Sequence, residues 1–213
     1  MMTRAISFAL ILTGAVASGG PRGGRSADLP FYADRDFTPH WSPVEHRVGT
    51  FSLTSQTGAS FTDRDVTGRV YVASFVYTRC SVICPAIVAN LRRVQAAAPA
   101  ALLVSFSVTP ELDSPAVLSA FGAERGIDPL GWTLVTGDKR QIYALARDAY
   151  FADDDRLAGL AGGADSFLHT EKVVLVDGGG RLRGVYDATQ RFDMDKLIED
   201  VQRLTATSAT FRT

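Results

Sequence analysis

The sequence has few of the residues that several common classes of protein require. Only two cysteines occur in 213 residues, which excludes a scaffold of many disulfides and a zinc or iron–sulfur site built from four cysteines of this chain. The 22 basic and 23 acidic side chains nearly balance, so the bulk positive charge of nucleic-acid-binding proteins is absent and we predict no nucleic-acid partner. The length suits one globular domain.

The first apolar run is also too short to cross a membrane easily. Residues 5–16 are followed by Ala17, whereas a membrane-spanning helix needs about 20 apolar residues. The run follows Arg4 and ends in a small-x-small pattern, which predicts a signal peptide over residues 1–17, with an uncleaved membrane anchor as the alternative. We then predict a flexible linker over 18–29, a domain over 30–206 and a tail over 207–213. The predicted location is the periplasm or another extracytoplasmic space, membrane-attached only if the anchor is kept.

Continuous apolar runs predict strands that are buried on both faces and hence central in a sheet. These runs are residues 70–77 and 102–108. Shorter runs predict strands at 132–135, 172–177 and 181–186, and three glycines at 178–180 predict a hairpin turn between the last two. Residues 48–53 and 59–62 predict an N-terminal β-hairpin.

Helices are predicted between these strands. Residues 85–97 place their apolar side chains on one face, while Ser114 and Asp138 predict the N-caps of two further helices, the second ending near Tyr150. A last helix is predicted after Asp193. The order predicts an α/β domain with a central mixed sheet flanked by helices, and its β-β-α ending after a βαβ unit matches a thioredoxin-like fold.

The two cysteines, Cys80 and Cys84, follow the first buried strand and open a helix. If that helix includes Cys80, both sulfurs lie on one face. The N-terminal N–H groups of the helix and the neighbouring Arg79 stabilise negative charge, so we expect thiolates. Two thiolates at this spacing suit Cu(I), Zn(II) or a similar soft ion, or they close a small disulfide. A purely structural disulfide closing so short a loop would add little stability.

His169 stands three residues before a predicted buried strand. A histidine in a loop at the end of a sheet is well placed to complete a metal site, because two thiolates and one imidazole suit Cu(I) and imidazole also suits Cu(II). A solvated or merely hydrogen-bonded histidine is the alternative. His40 and His46 lie in the N-terminal segment, where we expect surface residues rather than metal ligands.

Four segments together resemble the Sco/SenC family of copper chaperones, in order within residues 48–204. They are residues 77–85 around the cysteines, 107–115, 131–138, and 167–170 followed by a strand and Asp177-Gly178. The resemblance implies a thioredoxin fold and a role in assembling the copper sites of cytochrome c oxidase. It also implies that one copper ion, Cu(I) or Cu(II), is held by Cys80, Cys84 and His169. Thr109 departs from the family pattern, in which an aspartate is common.

The resemblance predicts an exported metallochaperone rather than an enzyme, which passes copper by ligand exchange to an acceptor protein such as a cytochrome c oxidase subunit. The alternative is a periplasmic thiol–disulfide oxidoreductase, in which Cys80 attacks a partner disulfide, Cys84 resolves it and a thiol–disulfide reductant is a further partner. The usual redox spacing is Cys-x-x-Cys, and a redox protein does not need His169. A peroxidase of this fold needs a Thr/Ser-x-x-Cys site, which residues 78–80 do not provide.

Other polar and aromatic residues receive simpler predictions. We expect Asp113 to belong to the loop before a helix, with a role beside the site as the alternative. We expect Asp153, Asp154 and Asp155 to form a solvated loop face rather than a site for a hard cation. The Gly-rich loop that contains these three residues precedes His169, and we hypothesise that it moves His169 toward the cysteines. Four aromatic residues of the N-terminal segment are predicted to pack on the domain, with a partner-facing surface as the alternative: Phe31, Tyr32, Phe37 and Trp41.

Overall fold

Seven strands form one mixed sheet in the computed structural model, which describes residues 29–81, 83–153, 168 and 170–210 and the side chains up to residue 206. The strands are β1 (Ser52–Ser55), β2 (Ser60–Thr62), β3 (Tyr71–Val76), β4 (Leu102–Ser107), β5 (Trp132–Thr136), β6 (Lys172–Val176) and β7 (Leu182–Asp187). Their order across the sheet is β2-β1-β5-β4-β3-β6-β7. Strands β3, β4 and β5 are parallel, and the other pairs are antiparallel.

Helices cover both faces of this sheet. They are α1 (Asp63–Val66), α2 (Cys84–Ala97), α3 (Pro115–Glu124), α4 (Lys139–Ala144), which continues into a π-helical turn (Leu145–Ala149), and α5 (Arg191–Thr210). One core contains apolar residues of α2, α3 and α5, and the other contains those of α1, α4 and the π-helical turn. The predicted α/β, thioredoxin-like architecture is therefore confirmed, including the N-terminal hairpin β1–β2.

The continuous apolar runs are the central strands, as predicted. Every residue of β3 and β4 is buried, because each strand has a core on both faces. The hairpin begins later than predicted, since residues 48–51 precede β1. The last helix also extends beyond the predicted tail boundary at 207, and no Gly or Pro follows Leu204 to end it.

Two helix starts follow from local capping. The Ser114 hydroxyl accepts a hydrogen bond from the N–H of Val117, and the Asp138 carboxylate accepts one from Gln141, so both predicted N-caps are confirmed. The third predicted helix does not continue regularly to Tyr150. It changes to the π-helical turn after Ala144.

The N-terminal segment lies against the edge strand β7. Tyr32 pairs with Leu182, and the buried guanidinium of Arg183 donates to the carbonyls of Leu29 and Pro30 while lying 4.0 Å over the Phe31 ring. Phe31 is buried, as predicted. Trp41 is 70% exposed, so the prediction that it packs on the domain is wrong. The paired segment ends at the bridge between Phe31 and His40, before Trp41.

Candidate metal centre

The loop between β3 and α2 brings the two cysteines together. The N–H of Cys80 donates to the carbonyl of Tyr77 at 3.1 Å, which turns the chain immediately after β3. The N–H of Cys84 donates to the sulfur of Cys80 at 3.4 Å. Helix α2 begins at Cys84 rather than at Cys80, and its N-cap residue Ile83 makes no side-chain cap. The Cys80 sulfur therefore accepts a hydrogen bond from the first residue of the helix, although Cys80 itself precedes the helix.

The two thiols have different surroundings. Cys80 is half-buried and Cys84 is 8% exposed, and no disulfide joins them. The pKa of Cys84 is raised to about 11, mainly by burial and in smaller part by the hydrogen bond and charge of the Cys80 side chain, while the Tyr77 backbone and the Arg125 guanidinium act to lower it. The expectation that Cys84 is a ready thiolate is not supported, because burial disfavours the charged form of this thiol and raises its pKa. A cation that replaces its proton is needed to make it a ligand at neutral pH.

A buried carboxylate fixes the start of the cysteine loop. Asp113 is fully buried and accepts hydrogen bonds from the hydroxyls of Thr78, Ser107 and Thr109, the last at 3.0 Å. The network joins the loop two residues before Cys80 to the end of β4. The sequence analysis gave a role beside the site only as the alternative for Asp113, because Thr78 and Asp113 meet only when β3 and β4 pair in parallel. Thr109, which departs from the family pattern, is a donor in this network.

The pairing of β6 with β3 decides what lies beside the cysteine loop. Tyr71 is opposite Val176 and Ala73 is opposite Val174, so the antiparallel register places the start of β6 at the edge where β3 ends. Leu168 and Thr170, the neighbours of His169 in sequence, precede this start. Leu168 is buried, and its N–H donates to the hydroxyl of Tyr143 at 3.4 Å. His169 itself and residues 154–167, the loop expected to move it, lie outside the described residues.

The structure describes neighbours for both of the other histidines. His46 is bonded through Nε2 to the carbonyl of Ala149 at 2.9 Å and its ring lies 4.6 Å from that of Phe151. His40 Nε2 is 3.9 Å from an oxygen of Asp34. Within residues 29–81, 83–153, 168 and 170–210, no group of three His, Cys, Asp or Glu side chains is arranged to hold a metal ion.

The acidic loop differs from the prediction where it is described. Asp153 is buried and pairs with Arg147 at 2.8 Å, so it is not part of a solvated face. The pairing was not predictable because Arg147 lies on the π-helical turn rather than on a regular helix. Asp154 and Asp155 lie outside the described residues.

Comparison with known proteins identifies the family to which this fold and cysteine loop belong. The family model for SCO1/SenC matches residues 41–206. The chain belongs to the SCO1/SenC family. A SCO1/SenC family lipoprotein from Bacillus anthracis str. Ames is similar, with 29% identity, a TM-score of 0.66, and coverage of 77% of this chain and 98% of that one. The resemblance noted from the four sequence segments is thereby confirmed.

Two other solved Sco structures are similar. BsSco, a Sco-family cytochrome c oxidase assembly protein in which a disulfide switch was identified, shows 26% identity and a TM-score of 0.66, covering 78% of this chain and 96% of its own. Copper-bound ScoI from Bradyrhizobium japonicum shows 24% identity and a TM-score of 0.55, and the match covers 73% of this chain and 98% of the ScoI chain. At this identity the ScoI likeness concerns the fold. In the described part of this Sco chain, no helix has the length and apolar character of a membrane span.

Proposed function

We propose that this Sco-family chain is an exported metallochaperone that holds one copper ion with Cys80, Cys84 and His169. The observation that carries the proposal is the β3–β6 pairing. It brings the sequence neighbours of His169 to the sheet edge at which the cysteine loop begins. The hydrogen bond from the Cys84 N–H to the Cys80 sulfur supports a thiol pair close enough to act as one site.

The donor set suits copper as cargo. Thiolate sulfur is a soft ligand that favours Cu(I), and imidazole accommodates both Cu(I) and Cu(II). Copper binding releases the proton of Cys84, whose pKa of about 11 keeps it a thiol at neutral pH. The apparent copper affinity of the site therefore rises with pH until Cys84 is deprotonated. The half-buried Cys80 is the ligand that an acceptor reaches first.

Delivery then follows by ligand exchange. Donor atoms of an acceptor protein replace the Cys80 sulfur and then the remaining two ligands, without a covalent change in either protein. Membership in a family that includes a cytochrome c oxidase assembly protein supports a cytochrome c oxidase subunit as the acceptor. The similarity to a bacterial lipoprotein supports an extracytoplasmic location, and residues 1–17 are our proposed signal peptide or anchor.

A competition titration tests the copper site. Reduced wild-type protein is titrated with Cu(I) against a chromogenic chelator, beside Cys80→Ser, Cys84→Ser and His169→Ala. His40→Ala is the matched histidine control, because His40 lies in the N-terminal segment. We expect one tightly bound equivalent in wild type and His40→Ala, and a loss of more than about a hundredfold in each serine variant. His169→Ala should bind copper more weakly yet still form the disulfide.

Two results would reject this assignment. Tight binding kept by both serine variants would exclude the two-thiolate site. An unchanged affinity and copper spectrum in His169→Ala would remove that histidine from the ligand set.

A thiol–disulfide oxidoreductase is the second candidate, favoured by the adjacent thiols and by the disulfide switch identified in BsSco. The Cys80 thiolate would attack a partner disulfide, forming a mixed disulfide and releasing one partner thiolate. The Cys84 thiolate would then attack the Cys80 sulfur, releasing the second partner thiolate. The partner gains two electrons, and the pair becomes a disulfide. Wild-type protein that binds no copper in the titration but completes this cycle would establish this function instead.

A further inference from the structure

The hydroxyl of Tyr143 connects two parts of the chain that meet at the cysteine end of the sheet. It donates to the carbonyl of Val108 at 3.1 Å and accepts from the N–H of Leu168 at 3.4 Å. Val108 directly follows β4, and Leu168 directly precedes His169. A single oxygen on α4 thus links the backbone beside the histidine to the end of a central strand.

The same strand end also holds the cysteine loop. Val108 is flanked by Ser107 and Thr109, whose hydroxyls donate to Asp113. Asp113 in turn accepts the hydroxyl of Thr78, two residues before Cys80. The N–H of Val108 donates to the Val76 carbonyl at the end of β3. The end of β4 is therefore a common support, with the Asp113 network on the cysteine side and Tyr143 on the histidine side.

Neighbouring contacts keep the Tyr143 ring in place. The guanidinium of Arg147, four residues later, lies 5.4 Å from the ring centroid, and the ammonium of Lys139, four residues earlier, lies 5.5 Å away. Arg147 also pairs with the buried Asp153 at 2.8 Å. Tyr143 and Arg147 consequently hold the two described residues, Leu168 and Asp153, that border residues 154–167 of the chain.

We propose that Tyr143 is a positioning residue for copper binding, acting through His169. Its hydroxyl fixes the Leu168 backbone relative to the strand end that carries the cysteine loop, and so sets the distance over which His169 reaches the copper. Loss of the hydroxyl leaves both thiols unchanged and removes this alignment. The inference rests on the proposed function, because it assigns Tyr143 to the histidine side of the proposed site.

A double-mutant cycle on the reduced protein tests the inference. Cu(I) affinity is measured by chelator competition for wild type, Tyr143→Phe, His169→Ala and the double variant. We expect Tyr143→Phe to weaken binding about tenfold in the wild-type background, as loss of an outer-shell partner does, and to change it less than twofold when His169 is absent. In the metal-free protein, the Leu168 amide should exchange with solvent about tenfold faster in Tyr143→Phe.

Tyr186→Phe is the matched control. It removes a hydroxyl that donates to Asp200 at 2.9 Å, so it reports a hydroxyl loss outside the proposed site. We expect its Cu(I) affinity and its Leu168 exchange rate to equal those of wild type. An equal loss from Tyr143→Phe in both histidine backgrounds, or no loss in either, would overturn the positioning role. Wild-type protein that binds no Cu(I) would reject the proposed function itself, and Tyr143 would then have no copper ligand to position.

Discussion

The two ends of the central sheet each bury a carboxylate, and they compensate it in different ways. At the end formed by the β6–β7 turn, Asp177 pairs with Arg181 at 2.9 Å and with Arg183 at 3.2 Å. At the cysteine end, Asp113 accepts hydrogen bonds from three hydroxyl groups and forms no ion pair with a described residue. The first end uses its cations to hold the N-terminal segment. At the second end the carboxylate has no described cationic partner, and one of its hydroxyl donors, Thr78, lies two residues before Cys80, a ligand in the proposed copper site.

The comparison indicates that the two ends of the sheet have different roles. Removing one member of a buried ion pair strongly destabilises the fold. Ion pairs therefore suit an end of the sheet whose role is structural. Hydroxyl hydrogen bonds fix the start of the cysteine loop without adding a further cation to the Asp113 network, and a further cation would repel a metal ion. We therefore expect substitutions at the Asp177 end to affect stability and substitutions at the Asp113 end to affect both stability and the thiols.

The largest effect is expected from Arg183→Met. This change removes one of the two described cations that pair with Asp177, and it removes the donors to the carbonyls of Leu29 and Pro30. Urea unfolding should show a loss of about 3 kcal/mol, because the remaining partners are buried. Arg181→Met, on the more exposed neighbour, should lose about 1 kcal/mol. Equal losses of unfolding free energy in the two variants, or a changed Cu(I) affinity in Arg183→Met, would contradict the proposed difference between the two ends.

A smaller loss of stability is expected from Asp113→Asn. The amide offers one acceptor oxygen to three hydroxyl donors, so the unfolding free energy should fall by about 2 kcal/mol. The alkylation rate of Cys80 should also rise, because Thr78 loses its partner. The matched control is Glu111→Gln, which affects an exposed pair with Lys139 and should lose less than about 0.5 kcal/mol. Unchanged thiol reactivity in Asp113→Asn would show that the network does not position the cysteine loop.

The effect that is smallest near neutral pH is a pH dependence at the cysteine end, which is confined to alkaline solution. Cys84 has a pKa of about 11 in the folded protein, above the ordinary thiol value of 9.0. The folded state therefore binds this proton more tightly than the unfolded chain does, and the resulting stability is complete below pH 9 and lost as pH rises toward 11. The unfolding free energy of wild type should fall more steeply over this range than that of Cys84→Ser. Parallel curves for the two proteins would contradict burial as the cause.

The sequence predicted what depends on local pattern and missed what depends on distant pairing. The buried strands, the caps at Ser114 and Asp138, and the thioredoxin-like order follow from neighbouring residues. The four-residue helix α1 is too short for a periodic signal, and the bridge between Tyr32 and Leu182 joins residues far apart in the chain.

The same distinction between local pattern and distant pairing applies to the candidate site. The spacing of Cys80 and Cys84 predicted a site formed by the two thiols. The raised pKa of Cys84 was not predictable, because the groups that surround this thiol come together only on folding. Tyr143 lies in no motif and Asp113 lies in a family-like segment that does not name its partners, because the partners of both are set by how β3, β4 and α4 pack. His169 remains a prediction from family resemblance and sequence position.

The β3–β6 pairing also has a consequence for how the protein matures. Strand β6 begins almost a hundred residues after β3, so their contact closes a long loop at an entropic cost that must be met before the start of β6 lies beside the end of β3. During synthesis the cysteines emerge well before that segment does. An ion bound across the two strands would stabilise their contact, so loading the cargo and completing the fold would be linked equilibria.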